Sequence, residues 1–379
     1  MPHLSRLRLR NFRNFTDQIL DFPAGGVAII GDNGQGKTNL LEAIYYLEIL
    51  RSFRGAPDEQ LVRFGEEVFR LDGRVTSQGA HDQDIGAAFD RTSRRKKVTL
   101  GGTEPPRIGD ALGTLGAVIF SPTDVAIVSG SPGMRRRYLD IALSLTRPGY
   151  LQALQRYRQV LTQRNALLRQ DSPRAVVAAF NGGLVDAGSR VMATRARWIH
   201  EFAESFARHV AAVSGGATAV MEYDPSVKMS DAGSSNHDEE AIAREFTREL
   251  SRVAEREERQ GNTVVGPHRD DLRIRGVGGG GESVDLRAYG SGGQQRTAAV
   301  ALRMIEAEAL KEARGRQPVV LLDDVFAELD PGRSSRILQW VDEVEVGQVI
   351  LTAPKPTDFD VKGGSLPRWT IRDGVVDEL

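Results

Sequence analysis

Apolar residues follow two different periods along the chain, and the change of period divides the sequence into regions. Short apolar runs at 27–30, 117–120, 319–322 and 348–351 predict buried strands. Residues 4–10 alternate Leu with Ser or Arg, a pattern typical of a strand with one exposed face. The two ends of the chain are therefore predicted to fold as mixed sheets with helices, an α/β architecture.

The middle of the chain has a helical pattern instead. Apolar residues recur at helical spacing over residues 138–146, 151–168, 175–213 and 239–259, with a polar loop at 214–237. We predict that residues 132–260 form an inserted α-helical lobe, and that residues 1–131 with 261–379 form the other domain. In the latter, strands at 272–275 and 283–287 flank a glycine-rich tip, and Asp373-Gly374 predicts a closing hairpin.

Composition narrows the class of protein. With 379 residues, two domains are expected, and 40% hydrophobic with 27% charged residues describes a globular chain. No apolar run approaches the roughly 20 residues that span a bilayer, and the first residues lack the apolar core of a signal peptide. The chain has no cysteine and its six histidines lack ligand-like spacing, which leaves Mg²⁺ as the metal suggested. We expect a cytoplasmic protein without membrane association.

One glycine-rich segment between a predicted strand and a predicted helix fits the phosphate-binding pattern G-x-x-x-x-G-K-[ST]. Its glycines let backbone N–H groups converge on phosphate oxygens, and the helix N-terminus adds partial positive charge. Lys37 is expected to reach the β- and γ-phosphates of ATP, and the Thr38 hydroxyl to ligate Mg²⁺. A purely structural glycine turn is the alternative. The predicted ATP-binding residues here are Gly31, Asp32, Asn33, Gly34, Gln35, Gly36, Lys37 and Thr38.

Two later segments carry groups that are expected beside a nucleotide. The run at 319–322 leads into Asp323, which can hold Mg²⁺, and Asp324, which can orient and deprotonate an attacking water. A Gly-Ser-Gly-Gly segment opens a predicted helix, where N–H groups bind anions, although the same residues are also linker chemistry. The second predicted ATP-binding segment is Ser291, Gly292, Gly293 and Gln294, and the predicted catalytic residues are Lys37, Ser291 and Asp324.

Taken together, these segments resemble a known group of ATPases. Ser-Gly-Gly-Gln before a helix, four apolar residues with Asp-Asp, and then Ala327-Glu328-Leu329-Asp330 resemble the signature, Walker B and D-loop of ATP-binding-cassette proteins. Asn11-Phe12-Arg13-Asn14, Ser131-Pro132 and Gly266-Pro267-His268-Arg269-Asp270-Asp271 extend the resemblance over nearly the whole chain. With them, the chain resembles the RecF family of bacterial DNA replication and repair proteins.

The resemblance implies an ATP-binding-cassette-type ATPase head that pairs with a second copy when ATP is bound. Each nucleotide would lie between one subunit's loop 31–38 and the partner's segment 291–294, with Asp330 nearby. It also implies binding to duplex and gapped or single-stranded DNA, and cooperation with RecO and RecR in loading RecA during the SOS response. Thr352-Ala353 follows the last buried run where transporters usually carry His, which implies slow, switch-like hydrolysis.

Charge is distributed unevenly along the chain. Residues 132–200 carry a net charge of +9 and residues 222–258 one of −6, in a chain of net charge −1. We predict that basic side chains of the insertion and of a hairpin turn contact DNA phosphates. A solvated face, or pairing with the acidic stretch, is the alternative. The predicted DNA-binding residues are Arg135, Arg136 and Arg137, with Arg94, Arg95, Lys96 and Lys97 second.

Two other functions fit the nucleotide motifs. The chain could be the ATPase subunit of a transporter, although the absent His and the long insertion argue against it. It could also be the head of a chromosome-tethering machine, for which the insertion is too short to form a long coiled coil. His268 and Arg269 are expected to be structural partners of Asp270 rather than ligands.

Overall fold

The computed structural model describes residues 3–76, 81–229, 237–277, 282–324, 330–343, 347–355 and 366–378. The chain forms two compact units. Unit 1 comprises residues 1–124, 212–215 and 300–379, and unit 2 comprises residues 125–211 and 216–299. Our prediction placed residues 261–299 with the terminal domain, whereas here they belong to unit 2. The reason is strand pairing, because residues 271–277 pair with residues 218–224.

Unit 1 contains an antiparallel five-stranded sheet. Its strands are β1 (His3–Phe12), β2 (Phe15–Asp21), β4 (Val68–Thr76), β5 (Gln83–Asp90) and β6 (Arg95–Leu100), in the order β2-β1-β4-β5-β6. Leu7 and Leu9 of β1 are buried and Arg6 and Arg10 are exposed, as the alternation predicted. Leu4 is also buried because the pairing with β4 shifts between Leu4 and Arg6.

A six-stranded sheet forms the other layer of strands in unit 1. Its strands are β3 (Gly26–Ile30), β7 (Ala117–Phe120), β11 (Val319–Asp323), β12 (Val349–Ala353), β13 (Arg368–Arg372) and β14 (Val375–Glu378), in the order β14-β13-β3-β12-β11-β7. All pairs are parallel except β13 with β14. Strands β3, β7, β11 and β12 are buried along their whole length, which explains why their sequences are apolar runs.

Helix α1 (Lys37–Ile49) contacts strands of both sheets of unit 1. Nearly all of its residues are buried, so the helix is enclosed on every side rather than along one stripe. Unit 1 also contains α10 (Pro331–Glu343) and short three-ten turns at Asp58–Gln60, Ile108–Ala111 and Pro122–Asp124. These elements place the residues after β3 and after β11 at the same edge of the parallel sheet.

Unit 2 is mainly helical, as predicted. Its helices are α2 (Val125–Ser129), α3 (Pro132–Thr146), α4 (Tyr150–Arg169), α5 (Arg174–Ala178), α6 (Asn181–Ser214), α7 (Glu239–Gln260) and α8 (Leu286–Tyr289). Helix α9 (Gly292–Arg314) begins in unit 2 and continues into unit 1. Strands β8 (Thr218–Asp224), β9 (Asp271–Val277) and β10 (Ser283–Asp285) form a small antiparallel sheet. Tyr157, Leu184 and Phe246 bring α4, α6 and α7 together in the core.

The predicted α/β architecture of mixed sheets with helices is confirmed, with two local differences. We predicted residues 214–237 as a loop, whereas strand β8 lies within them. The apolar pattern of this strand is weak, since only Ala219 and Met221 are buried. Residues 286 and 287 begin α8 rather than extending the second strand of the hairpin, because Asp285 caps the helix by accepting a hydrogen bond from Arg287 N. Among the described helices, none is long and apolar enough to cross a membrane.

Candidate nucleotide-binding site

The glycine-rich loop connects β3 to α1, as the sequence pattern predicts. Gly36, the residue before α1, has φ 115°, a left-handed conformation that favours glycine. A Cβ atom at Gly36 would lie 2.6 Å from Asn14 Nδ2, so the loop is also closely packed from outside. Asn14 in turn donates a hydrogen bond to Gln35 O at 3.1 Å and accepts one from Asn39 Nδ2 at 2.8 Å. The loop is therefore fixed by residues outside the motif.

The Lys37 side chain folds back against the first residues of this loop. Its side chain is buried, and Nζ donates hydrogen bonds to Gly31 O at 2.6 Å and Asp32 O at 3.2 Å. The same Nζ lies 3.5 Å from Asp324 Oδ2. The ammonium thus faces carbonyls and a carboxylate, which is a position from which it can contact phosphate oxygens entering the loop.

Thr38 and Asp323 come together at the edge of the parallel sheet. Thr38 Oγ1 donates a hydrogen bond to Asp323 Oδ1 at 2.9 Å. Burial raises the pKa of Asp323 to about 6, helped by the Asp324 carboxylate and opposed by hydrogen bonds from Thr38 and Thr352. A carboxyl group whose ionisation is so disfavoured gains most from a nearby cation. A hydroxyl and a carboxylate in contact fit Mg²⁺, which takes oxygen ligands and shares them with phosphates.

Asp324 is held in an unusual backbone conformation. Its φ is 45°, in the left-handed region that Asp tolerates better than most residues, and Thr352 Oγ1 accepts a hydrogen bond from Asp324 N at 3.0 Å. Within the part of the chain that the structure describes, Asp324 Oδ1 is buried and has no hydrogen-bond partner. An unsatisfied carboxylate oxygen is costly and is a hydrogen-bond acceptor for a bound water or ligand. From the sequence, we considered position 352 only because it is not a His. In the structure, Thr352 positions Asp324.

Arg54 is a second basic residue near the site, and the sequence did not single it out. Its guanidinium lies 3.4 Å from Asn39 Oδ1 and 3.8 Å from Glu42 Oε2, and its charge lowers the pKa of Asp323. Glu42 is fully buried and accepts two hydrogen bonds from Arg13, at 2.8 and 3.0 Å. No motif marks Arg54, since its position depends on the end of α1 and the turn after it.

The segment Ser291 to Gln294 opens α9 from unit 2. Ser291 Oγ accepts a hydrogen bond from Gln294 N at 3.2 Å, and Gln294 Oε1 accepts one from Ser291 N at 2.9 Å. This reciprocal arrangement is a capping box. Ser291, Gly292 and Gln294 are exposed and Gly293 is partly exposed. This helix end is therefore exposed, while the N–H groups of Ser291 and Gln294 are bonded within the capping box.

Asp330 is exposed and caps α10. Its Oδ1 accepts a hydrogen bond from Arg333 N at 3.0 Å, and its Oδ2 lies 3.3 Å from Arg333 Nη1. The other residues of the predicted D-loop, 327–329, lie outside the described residues.

Two of the predicted DNA-binding residues, Arg135 and Lys96, are engaged within the protein. Arg135 is 3% exposed, binds Asp271 through Nε and Nη2 at 2.7 and 2.9 Å, and donates to the carbonyls of Val128 and Gly130. Lys96 binds Asp58 at 2.7 Å and lies over the Tyr46 ring. Both cations are bound to carboxylates inside their own units, which argues against contacts with DNA phosphates.

The other basic residues of that set remain accessible. Arg94 and Lys97 have side chains that are 80% and 63% exposed, and Arg95 is also exposed. Arg94 lies in the turn between β5 and β6, where the pattern predicted a solvated turn, while Arg95 and Lys97 begin β6. Arg136 and Arg137 of α3 are partly exposed.

The segment from Gly266 to Asp271 has a structural role in unit 2. His268 binds Tyr157 OH through Nδ1 at 2.5 Å and Thr263 O through Nε2 at 3.0 Å. Arg269 donates to Asn262 Oδ1 at 3.3 Å. Asp270 instead contacts Tyr223, Ser226 and Arg195. His268 is thus held by hydrogen bonds within unit 2, Arg269 is exposed, and Asp270 pairs with other residues.

Comparison with known proteins is consistent with this arrangement. The family described as RecF/RecN/SMC N terminal domain matches residues 3–362. The DNA replication and repair protein RecF of a Synechococcus strain is 38% identical over 94% of this chain and 93% of its own length. The RecF of Oceanobacillus iheyensis is 33% identical over 89% and 90% of the two chains.

Solved structures agree with the sequence relatives. A structure of the recombination mediator protein RecF with ATP, from the RecFOR pathway, matches with a TM-score of 0.89 at 33% identity, over 100% of this chain and 98% of that one. The Smc head domain of Pyrococcus furiosus matches at 17% identity with a TM-score of 0.57, over 100% and 96% of the chains, and shares the fold. Sequence and structure together show that the chain belongs to the RecF family of DNA replication and repair proteins.

Proposed function

We propose that this chain is an ATP-dependent DNA-binding protein of DNA replication and recombinational repair. The observation that supports this most directly is the cluster of Lys37, Thr38, Asp323 and Asp324 at one sheet edge, with Thr38 Oγ1 2.9 Å from Asp323 Oδ1 and Lys37 Nζ 3.5 Å from Asp324 Oδ2. Its arrangement suits a nucleoside triphosphate with Mg²⁺. A relative of 33% identity is described as RecF-ATP, which supports the same ligand.

Each residue of the cluster has a proposed part in ATP hydrolysis. Backbone N–H groups of residues 31–38 and the Lys37 ammonium hold the β- and γ-phosphates. Thr38 and Asp323 would hold Mg²⁺, which would supply positive charge beside the phosphates. Asp324 accepts a hydrogen bond and then the proton from the water whose oxygen bonds to the γ-phosphorus as the bond to the β-phosphate oxygen breaks. Because position 352 is Thr rather than His, ATP hydrolysis is slow and acts as a switch.

Dimerisation supplies the remaining contacts. Ser291 to Gln294 is exposed at the start of α9 and is proposed to bind the γ-phosphate held by a second copy. Asp330, also exposed, is proposed to lie near that nucleotide. Since ADP lacks the γ-phosphate, only ATP would stabilise the pair in this way.

DNA is the proposed partner of the dimer. The exposed cations Arg94, Arg95 and Lys97, together with Arg136 and Arg137, are candidates for contact with its phosphates. RecO and RecR are the proposed protein partners at gapped DNA, where the complex would help load RecA. The printed descriptions of two related structures place RecF in the RecFOR pathway. Membership of the RecF family disfavours the transporter and chromosome-tethering alternatives.

To test this proposal, DNA binding is measured by fluorescence anisotropy, once with a non-hydrolysable ATP analogue and once with ADP. The wild-type chain is expected to bind DNA more tightly with the analogue. Ser291→Arg should keep nucleotide binding and lose that gain, because a bulky cation replaces the hydroxyl at the proposed interface. Ser251→Arg, at an exposed serine of α7, is the matched control. Equal DNA affinity with the analogue and with ADP would contradict the proposal.

A further inference from the structure

Unit 2 contains a cavity that the nucleotide site does not explain. Its volume is about 250 Å³, and it lies among α3, α4, α6 and the loop before β9. Four arginines and one aspartate line it, so the lining has a net charge of +3 when His268 is neutral. The charged and titratable residues of this arginine cavity are Arg136, Arg137, Asp140, Arg158, Arg195 and His268.

The one carboxylate of the lining is already fully engaged. Asp140 Oδ1 accepts hydrogen bonds from Arg195 Nη2 at 2.8 Å and Tyr150 OH at 2.7 Å, and Oδ2 accepts one from Arg158 Nη2 at 2.8 Å. Two arginines and a tyrosine therefore share the charge of Asp140, and Arg195 also lies 3.7 Å from Asp270 Oδ2. The cavity keeps a surplus of positive charge after this network is satisfied.

Arg136 carries part of this surplus. Its Nη1 donates to the backbone carbonyl of Asp270 at 2.7 Å, an acceptor without net charge. The two nearest carboxylates have other partners. Asp271 is bound by Arg135, while Asp270 contacts Tyr223, Ser226 and Arg195. The Arg136 guanidinium thus keeps donors that can bind a ligand.

Burial is the main cause of the pKa shifts of Arg136 and His268, and at His268 the neighbouring arginines add a positive potential. Burial and the charge of Arg195 lower the pKa of Arg136, although three aspartates oppose the shift. Burial also lowers the pKa of His268 to about 4, with further contributions from Arg269, Arg136 and Arg195. The first turn of α3 adds to this potential, because Gly133 lines the cavity and no side chain caps that helix end. An anion would be stabilised here.

Size and donor type identify the class of anion. Guanidinium groups donate paired hydrogen bonds that match phosphate oxygens, and several of them suit a doubly charged group. A volume of 250 Å³ is below the roughly 300–1,000 Å³ of ordinary small-molecule sites, so it fits a group rather than a whole nucleotide. A phosphodiester carries a sugar on both sides, whereas a terminal phosphate can enter a recess end-on.

We propose that the arginine cavity of unit 2 binds a terminal phosphate group, either free or at the end of a DNA strand. The second source rests on the DNA binding proposed above. The two sources share the same ligand chemistry, and separate measurements distinguish them.

The test uses the full chain saturated with a non-hydrolysable ATP analogue, so that the loop at residues 31–38 is already filled. One arm measures the rise in melting temperature on adding orthophosphate. The other compares, by anisotropy, DNA hairpins that carry a phosphate or a hydroxyl at the 5′ end. We expect orthophosphate to stabilise the chain, and the phosphate end, if it is the ligand, to bind about tenfold more tightly.

Arg136→Gln should remove these effects, while Arg252→Gln, at an exposed residue of α7 that pairs with Glu249, should keep them. If Arg136→Gln does not fold, Arg158→Gln replaces it, since that side chain is 56% exposed. A rise in melting temperature with orthophosphate, without tighter binding of the phosphate-ended hairpin, identifies free phosphate as the ligand. This conclusion holds even if the hairpins do not bind. Absence of both effects, or equal losses in the Arg136→Gln and Arg252→Gln variants, overturns the proposal.

Discussion

Gln35, in the middle of the phosphate-binding loop, is held by Asp373 near the other end of the chain. Gln35 Oε1 accepts a hydrogen bond from Asp373 N at 2.7 Å. The carbonyl of Gln35 accepts a second one from Gly374 N at 3.0 Å. Asp373 and Gly374 form the turn between β13 and β14, with φ values of 49° and 78°. The closing hairpin thus has a function beyond ending the sheet, since it fixes the loop that would bind ATP.

Gly374→Ala is expected to loosen this contact and weaken ATP binding several-fold. The left-handed φ strains any residue with a Cβ, and the new atom would lie 2.7 Å from Asn14 O, so a stability loss of about 1–3 kcal/mol is also expected. Gly149→Ala is the matched control, with φ 81° and no atom of the described residues within 4 Å of the added atom. ATP affinity and melting temperature are measured on both variants. Equal ATP affinity in the two would show that the hairpin does not support the loop.

Lys37→Ala should abolish ATP binding, because the loop loses the cation that faces the phosphates. Lys37→Arg should keep part of the binding and lose hydrolysis, since a guanidinium fills the space without placing its charge where the ammonium lies. Titration with a fluorescent ATP analogue, followed by phosphate-release assays, separates the two effects. Unchanged ATP affinity in Lys37→Ala would place the nucleotide site elsewhere.

Substitutions of exposed and of buried basic residues should have different effects on DNA binding. Replacing Arg94, Arg95 and Lys97 by Ala should flatten the salt dependence of binding, by close to one unit of slope for each lost phosphate contact. Arg135→Ala should leave the slope unchanged and cost about 3 kcal/mol of stability, because Asp271 loses its buried partner. Affinity is measured across salt concentrations beside thermal unfolding. A flattened slope in Arg135→Ala, or an unchanged one in the triple variant, would contradict this assignment.

The stability of the chain should fall in acid partly through His268. Its native pKa of about 4 lies below the ordinary value of 6.5, so between these values the unfolded state binds more protons and folding weakens as pH falls. At pH 5 the expected loss is about 2 kcal/mol relative to pH 7.5. His268→Gln should reduce this loss in urea unfolding at the two pH values. An equal pH dependence in variant and wild type would mean that His268 is not held neutral.

The sequence predicted the features that depend on local pattern. The glycine-rich loop, the four buried runs and the Asp373-Gly374 turn lie where their residues indicated, because each feature is specified by its own neighbours. The apposition of Thr38 and Asp323 also followed from the rule that parallel strands present their carboxyl ends at one edge.

Features that depend on contacts distant in sequence were not predicted. Strand β8 has a weak pattern and is specified by pairing with β9, which also moved residues 261–299 into unit 2. The pairing of Arg135 with Asp271 spans 136 positions, so a cluster of three arginines looked like a binding surface. Likewise, the support that Asp373 gives to Gln35, 338 positions away, has no local signal.

Asp324→Asn should prolong the ATP-bound dimer. The amide cannot accept the proton of the attacking water, while Asp323 and Thr38 keep their contact and can still hold Mg²⁺. Dimer lifetime after ATP addition is followed by light scattering. Decay at the wild-type rate would exclude Asp324 as the proton acceptor.

The central claim is that ATP, and not ADP, joins two copies through the exposed Ser291 segment. Sedimentation velocity on one preparation, with a non-hydrolysable ATP analogue and then with ADP, tests it most directly. The account predicts a dimer with the analogue and a monomer with ADP, since only the γ-phosphate would reach the partner's helix end. Equal dimer fractions with the two nucleotides would contradict it.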